Sequence, residues 1–274
     1  MKLTYLGTAA AEGWPAVFCR CGNCMRALKA GGRNIRTRSQ ALLNDDFLFD
    51  FPTDTYDHML KNNLDLSNVE YVFFTHSHVD HCTPIDLQMR RSVLAHDMTK
   101  KHLTLYGTER VKQRIREVTD VLENDLYDIS FETIENYHTY ECGNYKVTPL
   151  KAFHVTQDDM VYVVESEGKT LLYLHDTGPL YDEAIDWLVE NKIKADLVSY
   201  DCTFAARNGV GGHLGLDTAT LLRDKFMTLG IIDGKTVNIL NHFSHNGQTI
   251  YDEFVPIAEN NGFIVSYDGM RTDI

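Results

Sequence analysis

The chain contains no apolar run approaching the ~18 residues that a membrane-crossing helix needs, and Met1 to Gly7 turns polar too early for a secretion signal. A soluble cytoplasmic protein is therefore the expectation. Positive charge is short as well, with 26 Lys and Arg against 39 Asp and Glu for a net charge of −13. An acidic surface repels a phosphate backbone, which disfavours a long nucleic acid as partner and fits small substrates better. Proline and glycine are sparse, at 6 and 18 of 274 residues, with no low-complexity stretch, so collagen-like, repeat and disordered classes are excluded. What remains is 43% hydrophobic, 24% charged and 11% aromatic residues, enough for a real core. No Pro/Gly/Ser-rich linker divides residues 1–274, which are read as one domain.

Alternating or β-branched runs predict strands at 2–6, 41–49, 69–74, 145–153, 160–166, 170–174, 195–201, 236–241 and 263–267. Helical patterns lie at 53–62, 84–95, 108–123, 180–191, 215–228 and 248–260. Thr83 before Pro84 supplies a capping hydroxyl and then a residue that tolerates the missing donor of a first turn. Strands in runs with helices interspersed predict two sheets inside and helices outside. Arg26, Lys29, Arg33, Arg36 and Arg38 form a basic stretch that is read first as a solvated face, with an anion-attracting rim as the alternative.

The segment Thr75-His76-Ser77-His78-Val79-Asp80-His81 places three His and one Asp within six positions, directly after the apolar run ending at Phe74. Loops leaving buried strands present functional side chains on a rigid base, and His with Asp is a ligand set for zinc and similar ions. A catalytic ion takes about three protein ligands and keeps one position open, so four ligand-type residues in one loop point to two ions. The 6 Cys are unevenly placed. In a large chain without a secretion signal, Cys19, Cys21 and Cys24 suggest a metal rather than disulfides.

The run His76 to His81 resembles the His-x-His-x-Asp-His signature of the metallo-β-lactamase superfamily. The rest of that family's ligand pattern is matched in order by His154, Asp176 and His242, each closing an apolar run, and Asp50 resembles the family's first acidic position, a partner of the His loop. The resemblance implies an α+β fold, a four-layer αββα sandwich of two mixed sheets between helices. It also implies one ion held by His76, His78 and His154, a second by Asp80, His81 and His242, and Asp176 bridging. Two ions about 3.5 to 4 Å apart would lower the pKa of a shared water, so that hydroxide is available at neutral pH, and could clamp both oxygens of a displacement at phosphorus. The ions are left as zinc, manganese, iron or nickel, because these ligands suit several.

Three thiolates need a fourth ligand to close a structural zinc site. His245, three residues beyond His242, is the first choice, with Cys82, Cys142 and Cys202 open as alternatives. A Cys-x-Cys-x-x-Cys joined to a late His resembles the PhnP-type phosphodiesterases of the superfamily, which cleave cyclic phosphates of ribose and related diesters. The PqqB-type relatives share a similar knuckle but lack the intact His-x-His-x-Asp-His set found here. The placement of His213, in Gly211-Gly212-His213, resembles a His that related phosphodiesterases use near the scissile phosphate. With Asp80 it completes the candidate catalytic residues, either protonating a leaving oxygen or contacting phosphate, against the alternative of a loop His bonded to backbone. His58, His96, His102, His138 and His175 lack ligand spacing and are read as surface or satisfied core residues.

The expected activity is a dimetal phosphoric diester hydrolase acting on a small, cyclic ribose or nucleotide, phosphate ester. The alternatives are a lactonase or thioesterase, an RNA-processing enzyme like tRNase Z, and, least favoured with every ligand present, a non-catalytic binding scaffold. No membrane partner is expected, and the oligomeric state is open between monomer and homodimer.

Overall fold

A computed structural model describes residues 1–156 and 158–274. Its first sheet is built from β1 (Lys2–Gly7), β2 (Gln40–Leu43), β3 (Phe47–Phe49), β4 (Tyr71–Phe73), β5 (Leu103–Gly107) and β6 (Ile129–Thr133). The second runs through β7 (Tyr140–Cys142), β8 (Tyr145–Lys151), β9 (Met160–Ser166), β10 (Lys169–Leu174), β11 (Leu197–Asp201), β12 (Val237–Asn241) and β13 (Ile264–Val265). β14 (Met270–Asp273) returns to the first sheet beside β1, so each sheet has seven strands. Both are mixed: β3 to β6 and β10 to β13 pair in parallel, the remaining neighbours antiparallel.

Strand periodicity explains the layering, because successive side chains take opposite faces. Phe47, Phe49 and Phe73 on the first sheet meet Tyr162, Val164, Leu171 and Tyr173 on the second in the core between the sheets. The alternate residues Leu42, Leu48, Val72 and Leu105 face outward onto α3 (Glu109–Val118) through Val111 and Ile115. On the far side Val161, Val163, Leu172, Leu174 and Val198 pack against α4 (Asp182–Glu190), α5 (Leu216–Leu229) and α6 (Tyr251–Asn260), with α1 (Gly22–Ala30) contributing Cys24 and Ala27. α2 (Thr55–Asn62) completes the α-helices among the described residues. This is the αββα sandwich expected, with two mixed sheets inside.

Several local expectations need correction. The strand read over 41–49 is a hairpin, β2 and β3, broken at Asn44, Asp45 and Asp46, where Asn44 has φ 50°. The helix read over 84–95 is a 3-10 helix, Pro84–Arg90. The basic stretch is not uniformly solvated: Arg36 is buried, its guanidinium 4.2 Å from the Phe243 ring and donating to Thr8 Oγ1 and the Ser266 carbonyl. Arg38 pairs with Asp54. No helix is long and apolar enough to cross a membrane among the described residues.

Candidate metal centre

The ligand-type residues sit where strands end. Asp50 follows β3, the 76–81 loop follows β4, His154 follows β8, Asp176 follows β10, and His242 follows β12. Because the sheets lie face to face, these loops converge at one end of the sandwich. Asp50, Asp176 and His242 adopt φ values of 64°, 53° and 63°, a left-handed conformation that non-glycine residues take at a cost, here imposed by the surrounding structure.

Asp176 lies at the middle. Its Oδ2 is 2.9 Å from His81 Nε2, 3.3 Å from His76 Nε2 and 3.6 Å from His242 Nε2. Its Oδ1 is 3.2 Å from His213 Nδ1 and 3.7 Å from His154 Nε2. Asp80 Oδ2 is 3.2 Å from His81 Nε2, and His78 Nδ1 is 2.8 Å from His76 Nε2. Four of the imidazoles are fixed through Nδ1 and so offer Nε2 to the centre. His76 Nδ1 meets Thr75 Oγ1 at 3.0 Å, and His81 Nδ1 meets Asp50 Oδ2 at 2.7 Å. His154 Nδ1 donates to the Gly212 carbonyl at 3.2 Å, and His242 Nδ1 meets Thr203 Oγ1 at 2.9 Å. Gly212 is required there, since a Cβ would stand 2.8 Å from His154.

Two donor sets emerge that share Asp176: His76, His78, His154 and Asp176, and Asp80, His81, Asp176 and His242. A divalent ion suits them on three grounds. Donor atoms bound tetrahedrally at about 2.0 to 2.1 Å stand roughly 3.3 Å apart, close to the separations here. The donors are of the type that zinc and its neighbours take. His81 Nε2, His242 Nε2 and Asp176 Oδ1 are buried without an aligned hydrogen-bond partner among the described residues, a costly arrangement that a cation would end. These clusters are able to bind metals.

The protein's own charges already polarise the site. Burial opposes ionisation of Asp176, yet His242, His81 and His76 hold its carboxyl well below the ordinary range. Burial, reinforced by the charge on His81, pushes His76 well down. His81 is raised well above an ordinary imidazole because Asp80 and Asp50 outweigh burial.

The sequence reading missed Asp201, the last residue of β11, which is fully buried. Its Oδ1 accepts from Leu214 N at 2.8 Å and Thr203 N at 3.1 Å, while Oδ2 faces His213 Nδ1 at 3.3 Å and His242 Nδ1 at 3.4 Å. His213 is thus held by carboxylates and Thr203 rather than by backbone, and its Nε2 has no partner among the described residues. Burial would lower His213, but Asp201, backed by Asp176 and Asp80, holds it up at about 9. It lines a pocket of about 320 Å³ over the centre with His154, Val155, Glu12 and Phe204. A groove of about 920 Å³ continues from Ala11, His78 and Asp80 along the Arg110, Gln113 and Arg114 face of α3.

At a second place Cys19, Cys21, Cys24 and His245 bring their donor atoms together. His245 Nδ1 is 3.4 Å from Cys21 Sγ and 3.8 Å from Cys19 Sγ. The knuckle is not entirely a loop: Cys21 caps α1, its Sγ accepting from Cys24 N, and Cys24 lies in the first turn. That backbone N–H and His245 bring the Cys21 thiol down to about 6, whereas burial pushes Cys24 up to about 12. Cys82, Cys142 and Cys202 are buried and lie outside this cluster. His175 is buried between Ser199 Oγ and Asn241 Nδ2, and His58 between Gln40 and Thr37, both as satisfied core residues.

Comparison with known proteins agrees with this architecture. Zinc-bound PqqB of Methylobacterium extorquens superposes over the full length of both chains with a TM-score of 0.76 at 20% identity. A diphosphatase of the PhnP family gives 0.76 at 18% identity, over 100% of this chain and 97% of that one. In sequence, Ribonuclease Z of Listeria monocytogenes serovar 1/2a is 28% identical over 201 residues, 72% of this chain and 54% of that protein. The chain therefore spans about half the length of the curated relatives it matches. Residues 47–228, which carry Asp50, the 76–81 loop, His154, Asp176, Asp201 and His213, match the model of the beta-lactamase superfamily domain, and the chain belongs to that family.

Proposed function

We propose that the chain is a metal-dependent phosphodiesterase acting on a small phosphate ester, with His76, His78 and His154 holding one ion, Asp80, His81 and His242 a second, and Asp176 shared between them. The observation that carries this reading is the pair of donor sets meeting at Asp176 with His213 beside them on the pocket wall. The names of the relatives, a ribonuclease and a diphosphatase, both concern bonds to phosphorus. Two divalent ions held in such sets, whether zinc, manganese, iron or nickel, would supply a nucleophile at neutral pH and charge stabilisation for a displacement at phosphorus.

The chain's own residues do the rest. Asp50 and Asp201 orient His81 and His242 through Nδ1. His213, held by Asp201 through Nδ1, donates from Nε2 to the leaving oxygen. Replacing His213 by alanine is expected to lower kcat by about 10²- to 10⁴-fold with both ions retained. Full turnover in that variant would remove His213 from the chemistry.

A second reading, cleavage of RNA as the name Ribonuclease Z describes, rests on that relative and would use the groove beside the site. The groove over α3 sets Arg110 and Arg114 beside the metal pocket, with Glu109 and Glu117 on the same wall. The test for both is metal content and turnover on one purified sample. Bis(p-nitrophenyl) phosphate, a 2′,3′-cyclic nucleotide and a 3′-extended RNA hairpin serve as substrates, with lactone and thioester controls. Diester turnover with about three ions per chain supports the proposal, preference for the RNA supports the second reading, and turnover of the controls alone overturns both.

Cys19, Cys21, Cys24 and His245 are assigned a structural zinc that ties α1 to the segment after β12. Cys21→Ala is expected to lose one zinc per chain and to lower Tm by roughly 5 °C or more. Unchanged metal content and Tm would refute this role.

A further inference from the structure

Glu12 stands between the two metal clusters. Glu12 is among the residues lining the pocket over Asp176 and His213, and its Oε1 accepts from Ser244 Oγ at 2.5 Å and lies 3.6 Å from His245 Nε2. The opposite ring nitrogen of His245, Nδ1, is the one that faces the Cys19 and Cys21 sulfurs. Imidazoles that bind metals through one nitrogen generally give the other N–H to a carboxylate, a carbonyl or water, which fixes tautomer and ring orientation. Among the described residues, Glu12 is the carboxylate within ion-pair distance of His245.

The backbone around Glu12 leaves it little freedom. Ala10 N donates to the Phe243 carbonyl at 2.9 Å, Phe243 N to the Thr8 carbonyl at 2.8 Å, and Val17 N to the Glu12 carbonyl at 3.1 Å. The turn bearing His245 is pinned by Asn23 Nδ2 on the His245 carbonyl at 2.9 Å and Arg207 on the Asn246 carbonyl at 3.2 Å. Segments 8–17 and 242–246 therefore form one braced unit. Glu12 stands in this unit between the knuckle, which its carboxylate faces, and the pocket over Asp176.

We infer that Glu12 is a positioning residue: it holds His245 with Nδ1 directed at the thiolates and thereby fastens the knuckle to the wall of the catalytic pocket. The inference rests on the reading of the four knuckle residues as a zinc site. It is independent of the substrate.

The experiment uses the whole protein with cobalt(II) exchanged for the knuckle ion. The dimetal site offers no thiolate, so thiolate-to-cobalt charge-transfer absorption reports the knuckle alone. Loss of that band to excess EDTA is followed in the parent protein, Glu12→Gln and Glu12→Ala, each checked for a cooperative melt. Glu12→Ala is expected to lose cobalt about 10- to 100-fold faster than the parent. Glu12→Gln, which keeps an acceptor oxygen without charge, should fall between them, and it remains readable if the alanine variant folds poorly. Cobalt loss at the parental rate in Glu12→Gln and in any folded Glu12→Ala overturns the role of Glu12. Absence of the band in the parent protein overturns the zinc-site reading instead.

Discussion

Asp176→Asn is expected to abolish turnover, with a loss of at least about 10³-fold, and to reduce metal content from about three ions per chain to about one. The asparagine keeps the volume of the side chain and one acceptor oxygen. It removes the single negative charge that lies within 3.7 Å of five imidazoles, His76, His81, His154, His213 and His242. Two divalent ions side by side repel each other, and an anion between them is what makes joint occupancy favourable. Without it either donor set is left with three residues and no bridge. Elemental analysis and diester turnover on one preparation check the result. Retention of three ions with more than a tenth of parental activity would show that Asp176 does not bridge. The zinc proposed at Cys19, Cys21, Cys24 and His245 should persist as an internal control.

The residues proposed to hold the two ions were legible through the resemblance of His76 to His81 to the metallo-β-lactamase signature, which led in order to His154, Asp176 and His242, each also closing an apolar run. Asp201 escaped although it closes a strand in the same way, since a lone carboxylate gives no ligand spacing and its partners, His213 and His242, lie 12 and 41 positions away. The partners of Arg36 are distant in sequence too: Thr8 and Ser266, 28 and 230 positions away, bury a cation that composition assigns to solvent. Short elements were lost for a different reason. β5, β6, β7 and β14 have three to five residues each, too few for alternation to stand out, and they are strands because neighbours supply their hydrogen bonds. α1 was hidden because its first residue is Gly22 and its cap is a cysteine, neither of which reads as a helix start.

Asp201→Asn is expected to lower kcat by about 10²-fold in the metal-loaded enzyme, because one carboxylate orients both His242 and His213. Asparagine presents a neutral oxygen or an N–H to those rings. His242 then loses one of the two partners of its Nδ1, Thr203 being the other, and His213 loses the Asp201 carboxylate against its own Nδ1. A pH effect on stability follows for the chelator-stripped protein. Burial would raise the Asp201 carboxyl, but His213 and His242 bring it down to about 2 from 3.8. A depressed carboxyl contributes stability above its unfolded pKa and loses it as pH falls from about 4 to about 2, here about 2 kcal/mol. His213, raised from 6.5 to about 9, contributes below pH 6.5 and loses that contribution as pH rises toward 9. Both shifts report largely the same contact, so they do not add. The stability difference between parent and Asp201→Asn should be greatest near pH 5.5 and narrower at pH 3 and pH 9, as read from urea melts of stripped protein at the three pH values. A difference that stays constant across them would mean that Asp201 acts on the fold through its bonds to Leu214 N and Thr203 N, and not through the imidazoles.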